Sequence, residues 1–205
     1  MQTKRAGRPP SFDREIALRE AARLFWRHGF SGTSTRVLSS ALGISSSSLY
    51  AAFGTKADLF EEAIRTYALR YSAIYDSAVA EPTVERVIER LLMDSVTEFT
   101  RSTEGHPGCL TGSAVMADTS ATLNVRKYVA DLQDADEARL GARLQRAVVE
   151  GDLAATTNVT VLTELVQTLW QGLSARADLG ASREELLGVA SLALTLLGPT
   201  RTKIQ

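Results

Sequence analysis

Four consecutive serines, Ser45 to Ser48, are the residues whose type and spacing best suit contact with a nucleic acid. A serine hydroxyl donates and accepts hydrogen bonds, so it can pair with a phosphate oxygen or with the edge of a base. Serine is also a poor residue for a helix interior, because its hydroxyl competes for backbone groups. We interpret Ser45 as a helix cap and Ser46 and Ser47 as DNA contacts. The alternative is that they are exposed to solvent without a role.

These serines lie at the start of the second of two predicted short helices. The first helix runs from about Ser34 to Leu42, with Thr33 as its predicted cap. Gly43 ends this helix in a sharp turn. The predicted anchors of the second helix are Leu49, Tyr50 and Phe53. Two short helices joined by a tight turn predict a helix-turn-helix, whose second helix can enter the major groove of DNA.

An ordered set of residues between positions 8 and 65 extends this pattern. The set comprises Gly29-Phe30, Thr33-Ser34, Arg36, Ala41-Leu42-Gly43-Ile44-Ser45, Leu49-Tyr50, Phe53, Lys56 and Leu59-Phe60. In these residues the chain resembles the DNA-binding domain of the TetR (tetracycline-repressor) family of bacterial transcriptional regulators. Many members carry Lys where Ser46 stands. The recognition helix of this chain is therefore uncharged. We expect the flanking basic residues to supply more of the affinity for DNA.

The resemblance implies particular DNA contacts. The serines align with recognition-helix positions, and Tyr50 and Lys56 align with phosphate-contacting residues of the family. The complete set of predicted DNA-binding residues is Arg8, Thr33, Ser34, Arg36, Ser45, Ser46, Ser47, Ser48, Tyr50 and Lys56.

The net charge of −1 conceals an uneven distribution. Residues 1 to 58 hold nine Lys or Arg and four acidic residues, whereas the remaining residues hold 14 and 20. A basic end on an acidic body is typical of a polyanion-binding module attached to a second domain. Lys4, Arg5 and Arg8 could form an arm on the DNA, or they could belong to an inert tail.

Composition narrows the class of protein. In 205 residues, 44% hydrophobic residues suffice for a core, and no apolar run approaches the length of a membrane span. The first ten residues carry charges without an apolar segment, so we expect no signal peptide. One cysteine excludes an internal disulfide. We therefore expect a soluble cytoplasmic protein with no membrane partner.

Helical periodicity without a strand pattern predicts an all-α fold. We expect a three-helix helix-turn-helix DNA-binding domain over residues 1–58 and a helical effector-binding and dimerisation domain over residues 59–205. The first helix is predicted from Ser11 or Asp13 to His28. A long lever helix, opened by a capping box at residues 55–58, is predicted from Lys56 to Val79. Further helices are predicted over residues 83–101 and 109–117, from Ser120 or Thr122 to Gly151, and over residues 157–179 and 182–197.

The final predicted helix is apolar on nearly every side and needs cover that a chain of this size hardly offers. A partner subunit would supply that cover, and a central place in the core is the alternative. The resemblance also implies a homodimer, because TetR-type regulators dimerise through their last two helices as a four-helix bundle.

No constellation of side chains predicts catalysis. The sequence lacks a phosphate-binding glycine loop and the CxxC or HExxH spacing of metal sites. We expect no enzymatic activity, no cofactor and no metal. An apolar pocket between the later helices could instead bind an unknown small-molecule effector. Its candidate lining residues, each of which could also be plain core, are Tyr75, Met93, Phe99, Cys109, Met116 and Trp170.

Cys109 has two interpretations. A thiol at a helix N-terminus would be reactive, and the Gly108-Cys109-Leu110 element resembles a branch of the TetR family in which a cysteine here can sense electrophiles or oxidants. The alternative is a small buried hydrophobic residue.

Two functions of different classes follow from these patterns. The first is a dimeric, ligand-responsive repressor that binds a palindromic operator. The alternative is a helical protein-interaction module that retains the helix-turn-helix as a scaffold, and the uncharged recognition helix is its only support.

Overall fold

The computed structural model describes residues 12–101, 109 and 125–197, and within them the chain forms eight helices and no strand. The predicted all-α class is confirmed. The helices are α1 (Arg14–Gly32), α2 (Thr35–Ala41), α3 (Ser46–Phe53), α4 (Lys56–Val79), α5 (Val84–Phe99), α6 (Val125–Glu150), α7 (Val159–Asp178) and α8 (Arg183–Leu197). The predicted helix over residues 109–117, the start of the helix before Val125, Arg8 and Met116 lie outside the described residues.

The limits of α1 follow from local chemistry. The Asp13 side chain accepts hydrogen bonds from the backbone N–H groups of Glu15 and Ile16, which caps the helix. Gly29 has a φ of 67°, so the helical path breaks where we predicted the end of the first helix. The chain then makes one more short turn before α2 begins.

A first hydrophobic core joins α1, α2, α3 and the beginning of α4. The rings of Phe25 and Phe60 meet edge to face, with centroids 4.9 Å apart, and Phe30 packs against Phe60. Trp26 lies edge to face against Tyr67. The helix-turn-helix is therefore fastened to the lever helix by aromatic contacts.

Helix α4 is continuous between this core and a second one. Thr55 and Asp58 form the predicted capping box at its start. Its first half reaches the first core as far as Tyr67, and Tyr71, Tyr75 and Ala78 belong to the second. The domain boundary between residues 58 and 59 stays a prediction.

The second core is built from the far half of α4 and from α5 to α8. Thr83 caps α5 and Asn158 caps α7, each accepting a backbone N–H three residues further on. Leu140, Leu144 and Ala147 are the buried apolar residues of α6, and Trp170 of α7 belongs to the same core. None of the described helices is long and apolar enough to cross a membrane.

Candidate nucleic-acid interface and internal cavity

The start of α2 corrects one prediction. Ser34, not Thr33, is the cap, because its Oγ accepts a hydrogen bond from the backbone N–H of Val37. Thr33 is fully buried, and its hydroxyl lies 2.8 Å from the carbonyl oxygen of Gly29 and 3.2 Å from that of Leu24. The hydroxyl of Thr33 therefore closes the end of α1 inside the domain, away from the surface where a phosphate would bind.

The turn between α2 and α3 sets the angle of the recognition helix. Gly43 has a φ of 63°, and the N–H of Ile44 donates to the carbonyl of Ser39 at 3.0 Å. The hydroxyls of Ser39 on α2 and Ser46 on α3 are 3.1 Å apart. A hydrogen bond and a glycine turn thus join the two helices, while Leu38 and Leu49 pack beneath them.

The four serines are exposed, and the hydroxyls of Ser45, Ser47 and Ser48 form a connected group. Ser45 is the cap of α3, as predicted, because its Oγ accepts the backbone N–H of Ser48. The same oxygen lies 2.8 Å from the hydroxyl of Ser47 and 2.9 Å from that of Ser48. Each hydroxyl has two acceptor lone pairs, so these contacts leave capacity for an external partner.

We predicted Tyr50 as an anchor of the second helix, but 49% of the residue is exposed, so this prediction is wrong. Leu49 and Phe53 are the buried anchors, because residues four apart share one helix face and Tyr50 lies beside that face. The exposed phenol is free to contact a phosphate, which stays a prediction.

Lys56 has structural partners that its sequence position did not indicate. Its Nζ donates to the carbonyl oxygens of Phe30 at 2.9 Å and of Thr33 at 3.1 Å. It also lies 4.1 Å from the centroid of the Phe30 ring. An ammonium has three donors, so one N–H remains for a phosphate, and that contact also stays a prediction.

The loop before α4 has little steric freedom. Gly54 has a φ of 74°, and a Cβ on it would lie 2.6 Å from Oδ2 of Asp58. The hydrogen bonds from the backbone N–H and the hydroxyl of Thr55 lower the pKa of Asp58. The capping carboxylate therefore stays ionised and close to the glycine.

Four of the predicted effector residues come together in the second core, namely Tyr75, Phe99, Cys109 and Trp170. The indole N–H of Trp170 donates to Ser95 Oγ at 2.7 Å, and the hydroxyl of Tyr75 donates to Gln167 Oε1 at 2.5 Å. Cys109 is buried. Burial raises the pKa of Tyr71 well above its usual value, and hydrogen bonding to Cys109 raises it further.

A cavity of about 30 Å³ lies beside this group, between α4, α6 and α7. Tyr75 and Trp170 line it, as do polar side chains that the sequence analysis did not single out, among them Ser72, Gln133, Asp136, Gln167 and Gln171. Burial raises the pKa of Asp136, and the hydrogen bond from Arg139 partly opposes this rise. A volume of this size accommodates water rather than a larger ligand, so an effector would need the cavity to widen.

Met93 packs against the edge of the second core and does not line this cavity. It is partly buried and lines a charged groove on the outside of α5, together with Glu81, Arg86, Glu89, Arg90 and Asp94. Within the described residues, no three His, Cys, Asp or Glu side chains cluster so as to hold a metal ion.

The last two helices expose apolar side chains on their outer surface. Leu186, Ala190 and Ala193 bury the inner side of α8. Val189, Leu192 and Leu196 remain exposed on α8, as do Val161 and Leu165 on α7. Helix α8 is therefore not covered on all sides by its own chain.

Comparison with known proteins places these elements in a family. The family model for bacterial regulatory proteins of the tetR family matches residues 17–63, which contain the helix-turn-helix. The model for the tetracyclin repressor-like C-terminal domain matches residues 84–190.

Similar proteins align over most of the chain. The HTH-type transcriptional repressor ComR of Escherichia coli (strain K12) is 32% identical over 201 residues, covering 94% of this chain and 92% of that protein. The repressor BdcR of the same strain is 28% identical over 192 residues, with coverages of 94% and 92%. A cysteine-substituted variant of the TetR family transcriptional regulator CifR, solved with a 26-bp operator duplex, is similar at a TM-score of 0.83 and 34% identity, over 92% of this chain and 98% of that one. The chain belongs to the TetR family of bacterial transcriptional regulators.

Proposed function

We propose that this regulator is a dimeric repressor that binds a palindromic operator and is released by a small-molecule effector. The observation that carries the proposal is the exposed row of hydroxyls at the start of α3, held in a fixed position by the Ser39–Ser46 contact and the buried Leu49. Such a helix can present its N-terminal residues to base edges in the major groove. The repressors ComR and BdcR and the DNA-bound CifR variant support this function.

The phosphate contacts come from residues around the recognition helix. The exposed Tyr50 and the remaining N–H of Lys56 are suited to fix the orientation of the domain without reading sequence. Arg36 and Ser34 at the start of α2 add further donors, and Arg8 precedes α1.

Dimerisation is supported by the exposed apolar surface of α7 and α8. A second copy would cover the same patch by two-fold symmetry. Two recognition helices related in this way read two half-sites about 34 Å apart, or somewhat more, and the operator is accordingly a palindrome.

The effector acts through α4, which joins both cores. Two arginines of α6 hold its far end. Arg139 pairs with Asp76, and the buried Arg143 donates to the carbonyl oxygens of Glu81 at 3.0 Å and Pro82 at 2.9 Å. Widening of the cavity between α4, α6 and α7 would shift these contacts and swing the helix-turn-helix, so binding of effector and of operator oppose each other.

The test is selection of binding sites from random duplexes by the full-length wild-type chain, followed by mobility shifts at several salt concentrations. We expect a palindromic motif and an affinity that falls steeply with salt, because Lys and Arg contacts release counterions from the phosphates. A pool in which no sequence is enriched contradicts the proposal and favours the protein-interaction module.

A further inference from the structure

The cavity between α4, α6 and α7 has a single charged residue in its wall. Of the described residues that line it, Asp136 alone carries a formal charge, and the other polar lining groups are neutral hydroxyls and amides. Only 16% of the Asp136 side chain is exposed, so water screens its charge poorly. A ligand inside the cavity therefore meets a negative group and no positive group in this wall.

The protein neutralises the carboxylate of Asp136 only in part. Arg139 donates to its Oδ1 and also pairs with Asp76 of α4. Two carboxylates thus share one guanidinium, and one negative charge is left over beside the cavity. Among the described residues none donates to the other oxygen, Oδ2, of Asp136. This oxygen can accept a hydrogen bond from a ligand.

The phenol of Tyr75 experiences the same negative charge from inside the cavity. Burial is the main reason that its pKa is raised, and the charge of Asp136 is the next. Glu137 raises this pKa further, whereas the hydrogen bond to Gln167 and the charge of Arg139 lower it. Asp136 and Glu137 each act more strongly than Arg139. The field at the cavity wall is therefore negative, which favours a bound cation and disfavours a bound anion.

Three aromatic side chains line the same cavity, namely Tyr71, Tyr75 and Trp170. The centroid of the Trp170 ring lies 5.5 Å from that of Tyr71 and 6.3 Å from that of Tyr75. The faces of Trp and Tyr rings attract an ammonium group within about 6 Å of the centroid, and they do so more strongly where water is excluded. The cavity thus combines a counterion for an organic cation with apolar surface for its carbon atoms.

We propose that the effector is a small organic ammonium ion that pairs with Asp136 in this cavity. Its N–H groups donate to the carboxylate, and its carbon atoms pack against Trp170 and Tyr75. The ammonium group competes with Arg139 for Asp136. Because Arg139 also holds Asp76, this competition loosens a contact of α4. The release of operator in this inference rests on the proposed function, whereas binding of the cation does not require DNA.

Isothermal titration calorimetry on the full-length protein without DNA tests the site directly. The probes are ethylammonium, butylammonium and phenethylammonium, each compared at constant ionic strength with the alcohol and the carboxylate of the same carbon frame. We expect saturable binding of an ammonium ion and about 10- to 150-fold weaker binding of its matching alcohol and carboxylate. If an alcohol or a carboxylate binds as tightly as the matching ammonium ion, or if no ammonium ion binds, the inference is wrong.

Two variants locate the binding site on α6. Asp136→Asn removes the charge and keeps the shape of the side chain, and it should weaken binding of the ammonium ion by about 10- to 150-fold. Asp134→Asn is the matched control, because Asp134 is an exposed residue of the same helix outside the cavity, and it should bind as wild type does. Equal binding by wild type and Asp136→Asn contradicts the assignment. Circular dichroism checks that both variants fold, and the comparison of probes on wild type decides the question if Asp136→Asn does not.

Mobility shifts on the selected operator test the release, with each protein compared with its own affinity in the absence of probe. The bound ammonium ion should lower the operator affinity of wild type and Asp134→Asn by about 5- to 150-fold and that of Asp136→Asn far less. If the ion binds in calorimetry and the operator affinity of wild type stays the same, the cavity is not the effector site. If wild type selects no operator at all, the proposed function fails and the release fails with it, whereas calorimetry still decides whether the cavity binds a cation.

Discussion

Replacing Leu192 and Leu196 together by Glu tests the apolar surface of the last two helices. These residues are 60% and 75% exposed in the single chain. Complete burial of a leucine side chain stabilises by about 1.5–3 kcal/mol, so covering their exposed parts in both subunits contributes roughly 4–8 kcal/mol to dimerisation. Each ~1.4 kcal/mol is a factor of ten, so we expect the dissociation constant of the dimer to rise by roughly three to six orders of magnitude.

Sedimentation velocity over a wide range of protein concentration measures this change directly. The matched control is Leu69→Glu, because Leu69 on α4 is 66% exposed and lies away from α7 and α8. It introduces one of the same Leu→Glu changes outside the proposed interface, so the control should remain dimeric. Circular dichroism separates loss of the dimer from loss of the fold.

Operator binding is the second readout of the same variants. A monomer contacts one half-site only, so the double variant should lose tight binding to the full palindrome, while Leu69→Glu should retain it. A double variant that stays dimeric at the concentrations where wild type is dimeric would refute the assignment of this surface. A folded monomer that binds the full operator as tightly as wild type would refute the need for a dimer.

Three further outcomes follow from the structure. Lys56→Met should weaken binding to every sequence alike and reduce the salt slope by about one unit, and a change of preferred sequence would contradict a phosphate contact. Gly43→Ala should lower the free energy of unfolding in urea by about 1–2 kcal/mol through its positive φ. Gly54→Ala should lower it more, because its Cβ also meets Asp58, and equal effects of the two variants would show that the loop relaxes. Cys109 is buried, so a thiol reagent should modify it far more slowly in the folded protein than in urea. If quinone or peroxide treatment that modifies the thiol releases operator from wild type but not from Cys109→Ser, the sensor interpretation holds. If both proteins respond to the treatment equally, Cys109 is only a packing residue.

The helix limits were accessible from sequence wherever a single local interaction sets them. Ser45 accepts the N–H of Ser48, and the Thr55–Asp58 box opens α4, both within three residues. Gly29 and Gly43 adopt positive φ values, which other residues rarely tolerate. These features depend on neighbours in the chain, so residue type and spacing suffice to predict them.

The roles of several side chains were not accessible, because their partners are distant in sequence. Thr33 and Ser34 are both good caps, and only the packing of α1 against α2 decides which hydroxyl is buried. Lys56 donates to carbonyls 26 and 23 residues away. The spacing of Tyr50 beside Leu49 and Phe53 indicated a buried anchor, although the family resemblance indicated an exposed phosphate contact, and packing left the ring exposed.

The sequence alone determined the all-α fold and the helix-turn-helix, because local capping, turn glycines and 3.6-residue periodicity carry that information. The family followed from the resemblance of an ordered set of residues between positions 8 and 65. Tertiary structure decided which polar groups face the cavity, which hydroxyls remain exposed on α3 and where Met93 lies. Tyr75 and Gln167 are 92 residues apart, and Trp170 and Ser95 are 75 apart. Such pairs form only when α4, α5 and α7 pack together, since close packing and the need to satisfy buried polar groups act between helices rather than along the chain.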